Sequence, residues 1–271
     1  MTIRAVACDL DGTLLRSDGT LDARSHRALS AVQEAGILPV LCTARPARWI
    51  EPLALESRLS GAAVCANGAV VWDLASGEAL WVRSLSAQTC ATIVAVLGER
   101  LPSPAWAVER LDGFAHDPSY QPRWPVPPDT EVAPVSELIR LPAVKLLVRA
   151  PALGADELLE VARRLVGDLA HCSHSSTADS LLEIAAADVD KGSGLAWVCE
   201  RHGIEPREVV AFGDMPNDLP MLRWAGHAVA VANAHPDVLE AADEVTASND
   251  DAGVARVLER LVAEARRASL A

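Results

Sequence analysis

Asp9 and Asp11 lie in the run Asp9-Leu10-Asp11-Gly12-Thr13, directly after the apolar segment Ile3 to Cys8. An apolar run of that length reads as a buried strand, and open α/β sheets bind their ligands at the carboxyl ends of strands. Two carboxylates one residue apart can divide the work there, one as nucleophile and the other as acid and base. Gly12 lets the chain leave the strand sharply. Asp-x-Asp-Gly also occurs in ordinary turns, so the weight of the motif comes from its position.

Three other segments end apolar runs with polar chemistry. Gly213-Asp214-Met215-Pro216-Asn217-Asp218 follows Val209 to Phe212 and brings further acids to a strand end. Two converging acidic loops suit a hard divalent ion such as Mg²⁺, which binds through one or two carboxylates plus substrate phosphate. Taken alone, Asn217 or Asp218 could equally cap a helix. Thr43-Ala44-Arg45 follows Ile37 to Cys42, where a hydroxyl and backbone N–H groups can hold phosphoryl oxygens. A threonine there can also be a plain cap. Lys191 stands out because the chain holds 22 arginines and only one other lysine, Lys145. Lysine at this position points to a site that takes a compact point charge in place of a planar fork, although a solvated lysine is the commoner case.

The elements that must position these groups follow from periodicity. Strand-like runs alternate with helix-period segments in the first third: Ile3 to Cys8, a helix capped by Asp22 and stopped at Gly36, Ile37 to Cys42, a helix near Trp49 to Leu59, and Ala62 to Ala66 before the Asn67-Gly68 turn. This pattern predicts a parallel sheet with helices on its faces. From Trp81 to Ala187 the order changes to helix, strand, strand, helix, strand, which predicts a separate α+β insert. Pro118 to Pro134 carries six of the 17 prolines and is expected to be irregular. After Asp190 the first pattern returns, closing with a helix at Gly253 to Arg267.

In order and spacing the four motifs resemble the haloacid dehalogenase superfamily of phosphohydrolases, particularly its Cof-type members. Asn67-Gly68 and Leu182-Glu183-Ile184 are similar to that group as well. The resemblance implies an α/β fold: a Rossmann-like parallel-sheet core over 1–80 and 188–271, with an α+β cap domain over 81–187 that selects the substrate. It implies a phosphatase in which Asp9 becomes an aspartyl phosphate, Asp11 is the acid and base, and Thr43 and Lys191 hold the phosphoryl group. Mg²⁺ would sit among Asp9, Asp11 through its backbone carbonyl, and Asp214, with Asn217 and Asp218 orienting it. Thr43, Ala44, Arg45, Asn67 and Lys191 are the expected substrate contacts. One departure stands in the second motif, where these relatives commonly have Thr-Gly-Arg and Ala44 replaces the glycine.

A net charge of -13 argues against nucleic acid or an anionic membrane as partner and leaves a small phosphorylated metabolite, the site cancelling the field locally. No apolar stretch approaches the ~20 residues of a membrane span. Acidic residues arrive too early for a signal peptide, so the cytoplasm is the expected compartment. The six cysteines lack metal-binding spacing and read as buried reduced thiols. A phosphomutase would share the aspartyl chemistry and be told apart by its product. A non-enzymatic phospho-acceptor domain would need neither Asp11 nor a long insert.

Overall fold

The computed structural model describes residues 2–50, 59–177 and 179–269. The chain divides into two compact units, Met1–Trp81 with Asp190–Ala271, and Val82–Val189.

The first unit is built on an eight-stranded sheet whose centre is β1 (Ala5–Cys8), flanked by β2 (Leu38–Cys42) and β12 (Val209–Gly213), both parallel to it. All four residues of β1 are buried, as expected for a strand with parallel neighbours on each side and helices on both faces. Beyond β2 lie β3 (Ala62–Cys65), β4 (Val70–Asp73) and β5 (Glu78–Val82); beyond β12 lie β13 (His227–Ala230) and β14 (Glu244–Val245). The sheet is therefore not wholly parallel, because β4 runs antiparallel to β3. The turn at Asn67-Gly68 doubles the chain straight back, which no parallel connection could do over so few residues.

Helix α1 (Ala23–Glu34) starts where Asp22 accepts hydrogen bonds from the Arg24 and Ser25 N–H groups. It buries Ser25, Ala28, Leu29 and Val32, one face at helical spacing, and the chain leaves through Gly36 at φ 75°. The expected helix near Trp49 to Leu59 falls largely outside the described residues.

In the second unit, α2 (Ala87–Gly98), a short α3 (Val135–Leu138) and α4 (Ala155–Val166) cover one face of a six-stranded sheet. Its strands are β6 (Ala105–Glu109), β7 (Phe114–His116), β8 (Glu131–Val132), β9 (Lys145–Arg149), β10 (Ala170–Ser173) and β11 (Leu181–Ala186), in the order β10-β11-β9-β6-β7-β8. Alternation decides the faces. Trp106, Val108, Leu146, Val148, Leu182 and Ile184 join the core beneath the helices. Ala107, Leu147 and Tyr120 form a smaller cluster on the other face, where Lys145 and Glu183 also pair. Within the proline-rich stretch the one strand among the described residues is β8, at the sheet edge, and Tyr120 of the same stretch belongs to the smaller cluster.

Among the described residues no helix is long and apolar enough to cross a membrane, and all six cysteines are buried.

Candidate active site

Strand β1 delivers Asp9 at its carboxyl end, where the Asp9 N–H still donates to the Phe212 carbonyl of the neighbouring strand at 3.0 Å. The chain then curls, with the Leu14 N–H bonded to the Asp9 carbonyl and the Leu15 N–H to that of Leu10. Gly12 makes the curl possible: its φ is +84°, and a Cβ there would stand 2.4 Å from Asp214 Oδ2. Strand β12 ends at the same edge and delivers Asp214, whose Oδ1 accepts a 2.8 Å bond from the Thr13 hydroxyl. The two acidic motifs, some 200 residues apart in the chain, thus share one edge of the sheet.

Lys191 arrives from a third direction. It is the first residue of α5 (Lys191–Arg201), which Asp190 and Ser193 start with a reciprocal capping box. Its Nζ donates to Asp9 Oδ1 at 2.5 Å and to Asp218 Oδ1 at 2.6 Å, and its side chain is 1 % exposed. The other oxygen of Asp218 accepts from the Asp214 and Met215 N–H groups. Both oxygens of Asp218 are therefore engaged in holding Lys191 and the loop that carries Asp214. Close packing fixes the helix itself, since a Cβ on Gly68 would meet the Asp190 carbonyl oxygen at 2.0 Å.

Thr43 is fully buried at the end of β2, its N–H bonded to the Val64 carbonyl and its Oγ1 accepting from the Arg45 N–H at 3.0 Å. Ala44 lies between them on the same strand-end turn. Arg45 points at an acid: its Nε and Nη2 hold both oxygens of Asp11. Asn67, in the left-handed region at φ 55°, accepts a 3.0 Å bond from Asn217 Nδ2. Asp9, Lys191, Asp214 and Asp218 thus converge with Thr13, Thr43 ends the strand beside β1, Asn67 and Asn217 form a pair, and Asp11 with Arg45 forms a more exposed pair.

Asp9, Asp214 and Asp218 each place an oxygen within 4.8 Å of the others, and all three are buried. When ionised, three carboxylates face one ammonium, so the buried cluster carries excess negative charge that a divalent cation would offset. Asn217 Oδ1 is buried with no hydrogen-bond partner among the described residues, which leaves one more hard oxygen free. This donor set suits an oxygen-seeking ion and lacks the sulfur or imidazole that zinc favours.

Electrostatics follow from that crowding. Burial pushes Asp9 well above the ordinary carboxylate range; Lys191 opposes the shift, while Asp218 and Asp214 add to it. Burial and then the charge of Asp218 push Asp214 up to about 7. Burial alone would lower the Lys191 ammonium, but Asp218 and Asp9 outweigh it and raise its affinity for the proton. An aspartate that binds its proton more tightly when folded stabilises the fold below its unfolded value, 3.8 for Asp214, and that contribution is lost as pH rises through about 7. At stake is on the order of a few kcal/mol. The metal-free protein should therefore melt lower at about pH 8 than at about pH 5.5, and a divalent cation should largely close the gap at the higher pH. Thermal unfolding with chelator and with Mg²⁺ checks this; a metal-free melting temperature that climbs across the interval would contradict it.

Sequence reasoning missed two asparagines. Asn233 Nδ2 donates to the Gly12 carbonyl at 2.8 Å, and Asn249 Nδ2 donates to the Leu15 carbonyl at 3.0 Å. The Asn249 N–H in turn donates to Asn233 Oδ1, so the two side chains brace the loop after Asp9 as one unit. Asn233 lies just past β13 on the carboxyl edge that carries Asp9 and Asp214, and that position was the available signal.

Residues 6–258 match the family model described as haloacid dehalogenase-like hydrolase. The chain is 28% identical to 5-amino-6-(5-phospho-D-ribitylamino)uracil phosphatase YwtE of Bacillus subtilis, over 96% of this chain and 98% of that protein. It is 30% identical to the putative phosphatase YxeH of the same organism, again over 96% and 98%. The crystal structure of TM0651 from Thermotoga maritima superimposes with a TM-score of 0.76 at 27% identity, covering 96% of this chain and 97% of that one. With the acidic motifs on one sheet edge and nearly the whole chain matched, the protein belongs to the haloacid dehalogenase-like hydrolases.

Proposed function

We propose that this protein is a Mg²⁺-dependent phosphatase that hydrolyses small phosphorylated metabolites, sugar phosphates or similar monoesters, through an aspartyl phosphate on Asp9. The observation that carries the proposal is the Lys191 ammonium bridging Asp9 and Asp218 in a buried cluster that also contains Asp214. The names of YwtE, a phosphatase, and YxeH, a putative phosphatase, support the reaction class.

The Asp9 carboxylate attacks phosphorus in line, forming an acyl phosphate as the bond to the ester oxygen breaks. Asp11 gives its proton to the departing oxygen. A water then attacks phosphorus and yields its proton to Asp11, the bond to Asp9 breaks, and inorganic phosphate leaves. An ammonium has three N–H donors; Asp9 and Asp218 occupy two at Lys191, which leaves the third for a phosphoryl oxygen. Thr43 and the backbone N–H of Ala44 are the other phosphoryl contacts. Asp9, Asp214, the Asp11 carbonyl and Asn217 Oδ1 would hold Mg²⁺, which supplies charge to offset both the acids and the phosphoryl group. Asp218 stays with Lys191, and Asn67 fixes Asn217.

The Val82–Val189 unit is the proposed substrate selector. Phosphate release from a panel of phosphorylated metabolites tests the whole proposal. Turnover is expected with Mg²⁺, not with chelator, and the ranking of substrates should flatten when this unit is replaced by a short linker. Undiminished turnover in chelator would sink the metal assignment, and an unchanged ranking would remove the selector role.

A further inference from the structure

The two aspartates of the nucleophile loop live in different surroundings. The Asp9 side chain is 7% exposed and that of Asp11 is 55% exposed. A carboxylate on an open turn can swing among rotamers, and a group that must pass a proton across one hydrogen bond loses rate when its position is loose. Asp11 is held by Arg45. The guanidinium donates from Nε to Asp11 Oδ2 at 2.8 Å and from Nη2 to Oδ1 at 2.5 Å. Two parallel bonds from one plane set the orientation of a carboxylate as well as its distance. They also leave acceptor positions open, because a carboxylate offers about four and the fork takes two.

Arg45 is itself anchored at its backbone. Its N–H donates to Thr43 Oγ1 at 3.0 Å, and its carbonyl accepts from the Ala66 N–H at 2.9 Å. The end of β2 and the turn before Asn67 therefore decide where the guanidinium stands, and the guanidinium decides where the Asp11 carboxylate stands. An arginine whose main task was to bind phosphate would direct its fork at the phosphoryl position, whereas here the fork is spent on Asp11.

We propose that Arg45 is the positioning residue of the acid and base, orienting Asp11 for proton transfer rather than serving first as a phosphate ligand. The proposal rests on the role given to Asp11 above. It would make the effect of Arg45 depend on how much the leaving group needs a proton. Substituted phenyl phosphates vary that need while leaving the phosphoryl group unchanged.

The test is kcat/KM across the series from 4-nitrophenyl to 4-methoxyphenyl phosphate for the wild type, Arg45→Ala, Asp11→Asn and the double variant. Arg45→Ala should lose about tenfold or more on the poorest leaving group and about threefold or less on 4-nitrophenyl phosphate. In the double variant, the dependence on leaving group should be no steeper than in Asp11→Asn alone. An equal loss across the series, or a loss that multiplies with that of Asp11→Asn, would make Arg45 a phosphate ligand and overturn the proposal while leaving the phosphatase intact. If Asp11→Asn itself failed to steepen the dependence, the acid and base assignment would fall, and this inference with it.

Discussion

Asp9→Asn is expected to lower kcat by at least about 10⁴-fold, because a neutral amide cannot form the acyl phosphate that the reaction passes through. Asp11→Asn should behave differently in kind. Without the acid, a poor leaving group departs ~10²–10⁴-fold more slowly, but 4-nitrophenyl phosphate needs little protonation and should still phosphorylate Asp9. Without the base, the phosphorylated form should then accumulate, visible as a burst of nitrophenol followed by slow turnover. Both variants should stay folded. Asp9→Asn removes one charge from a crowded acidic cluster and leaves Lys191 paired with Asp218, while Asp11 lies on an exposed turn. Rapid-mixing absorbance separates the cases, and equal, burst-free losses in the two variants would refute the division of roles.

Lys191→Arg is expected to lower kcat by about 10²-fold while keeping the charge. The ammonium occupies a slot with 1% exposure between two carboxylates at 2.5 and 2.6 Å, and a planar fork is too wide for it. Either Asp9 or the phosphoryl group must then move. The other lysine, Lys145, cannot serve as a control exchange, because it is buried against Glu183 at 2.5 Å, with both side chains about as hidden as Asp9. Exchanging it would strain the second unit. Arg164→Lys, on the open face of α4 beside Glu160, is the better control and should leave kcat within about twofold. Near-normal kcat for Lys191→Arg would mean that the charge matters and its placement does not.

What the chain disclosed in one dimension and what it withheld have physical reasons. Asp9, Thr43 and Asp214 were legible because each ends an apolar run, and strand ends on one edge of a sheet come together whatever their separation in sequence. Lys191 stood out only against a background of arginine. The Arg45 to Asp11 pairing was hidden, since an arginine beside a phosphate-type motif reads as a phosphate contact until the direction of its fork is known. Lys145 with Glu183 was hidden for a related reason: two strands 38 residues apart decide the pairing, and composition favours a solvated lysine. Strand β4 escaped notice because Val70–Asp73 has too few residues for a period-two pattern. Asn233 and Asn249 escaped because an asparagine that braces a carbonyl looks, in sequence, like any turn residue.

The central claim is that Asp9 carries the phosphoryl group, and chemical trapping tests it most directly. Asp11→Asn protein mixed with 4-nitrophenyl phosphate and Mg²⁺, quenched during the burst and reduced with borohydride, should contain homoserine at position 9, because an acyl phosphate is reduced where a free carboxylate is not. Peptide mapping by mass spectrometry reads the position. Homoserine at 9 is the expected result; homoserine at any other aspartate, or nitrophenol released in a burst with no modified residue, would contradict it.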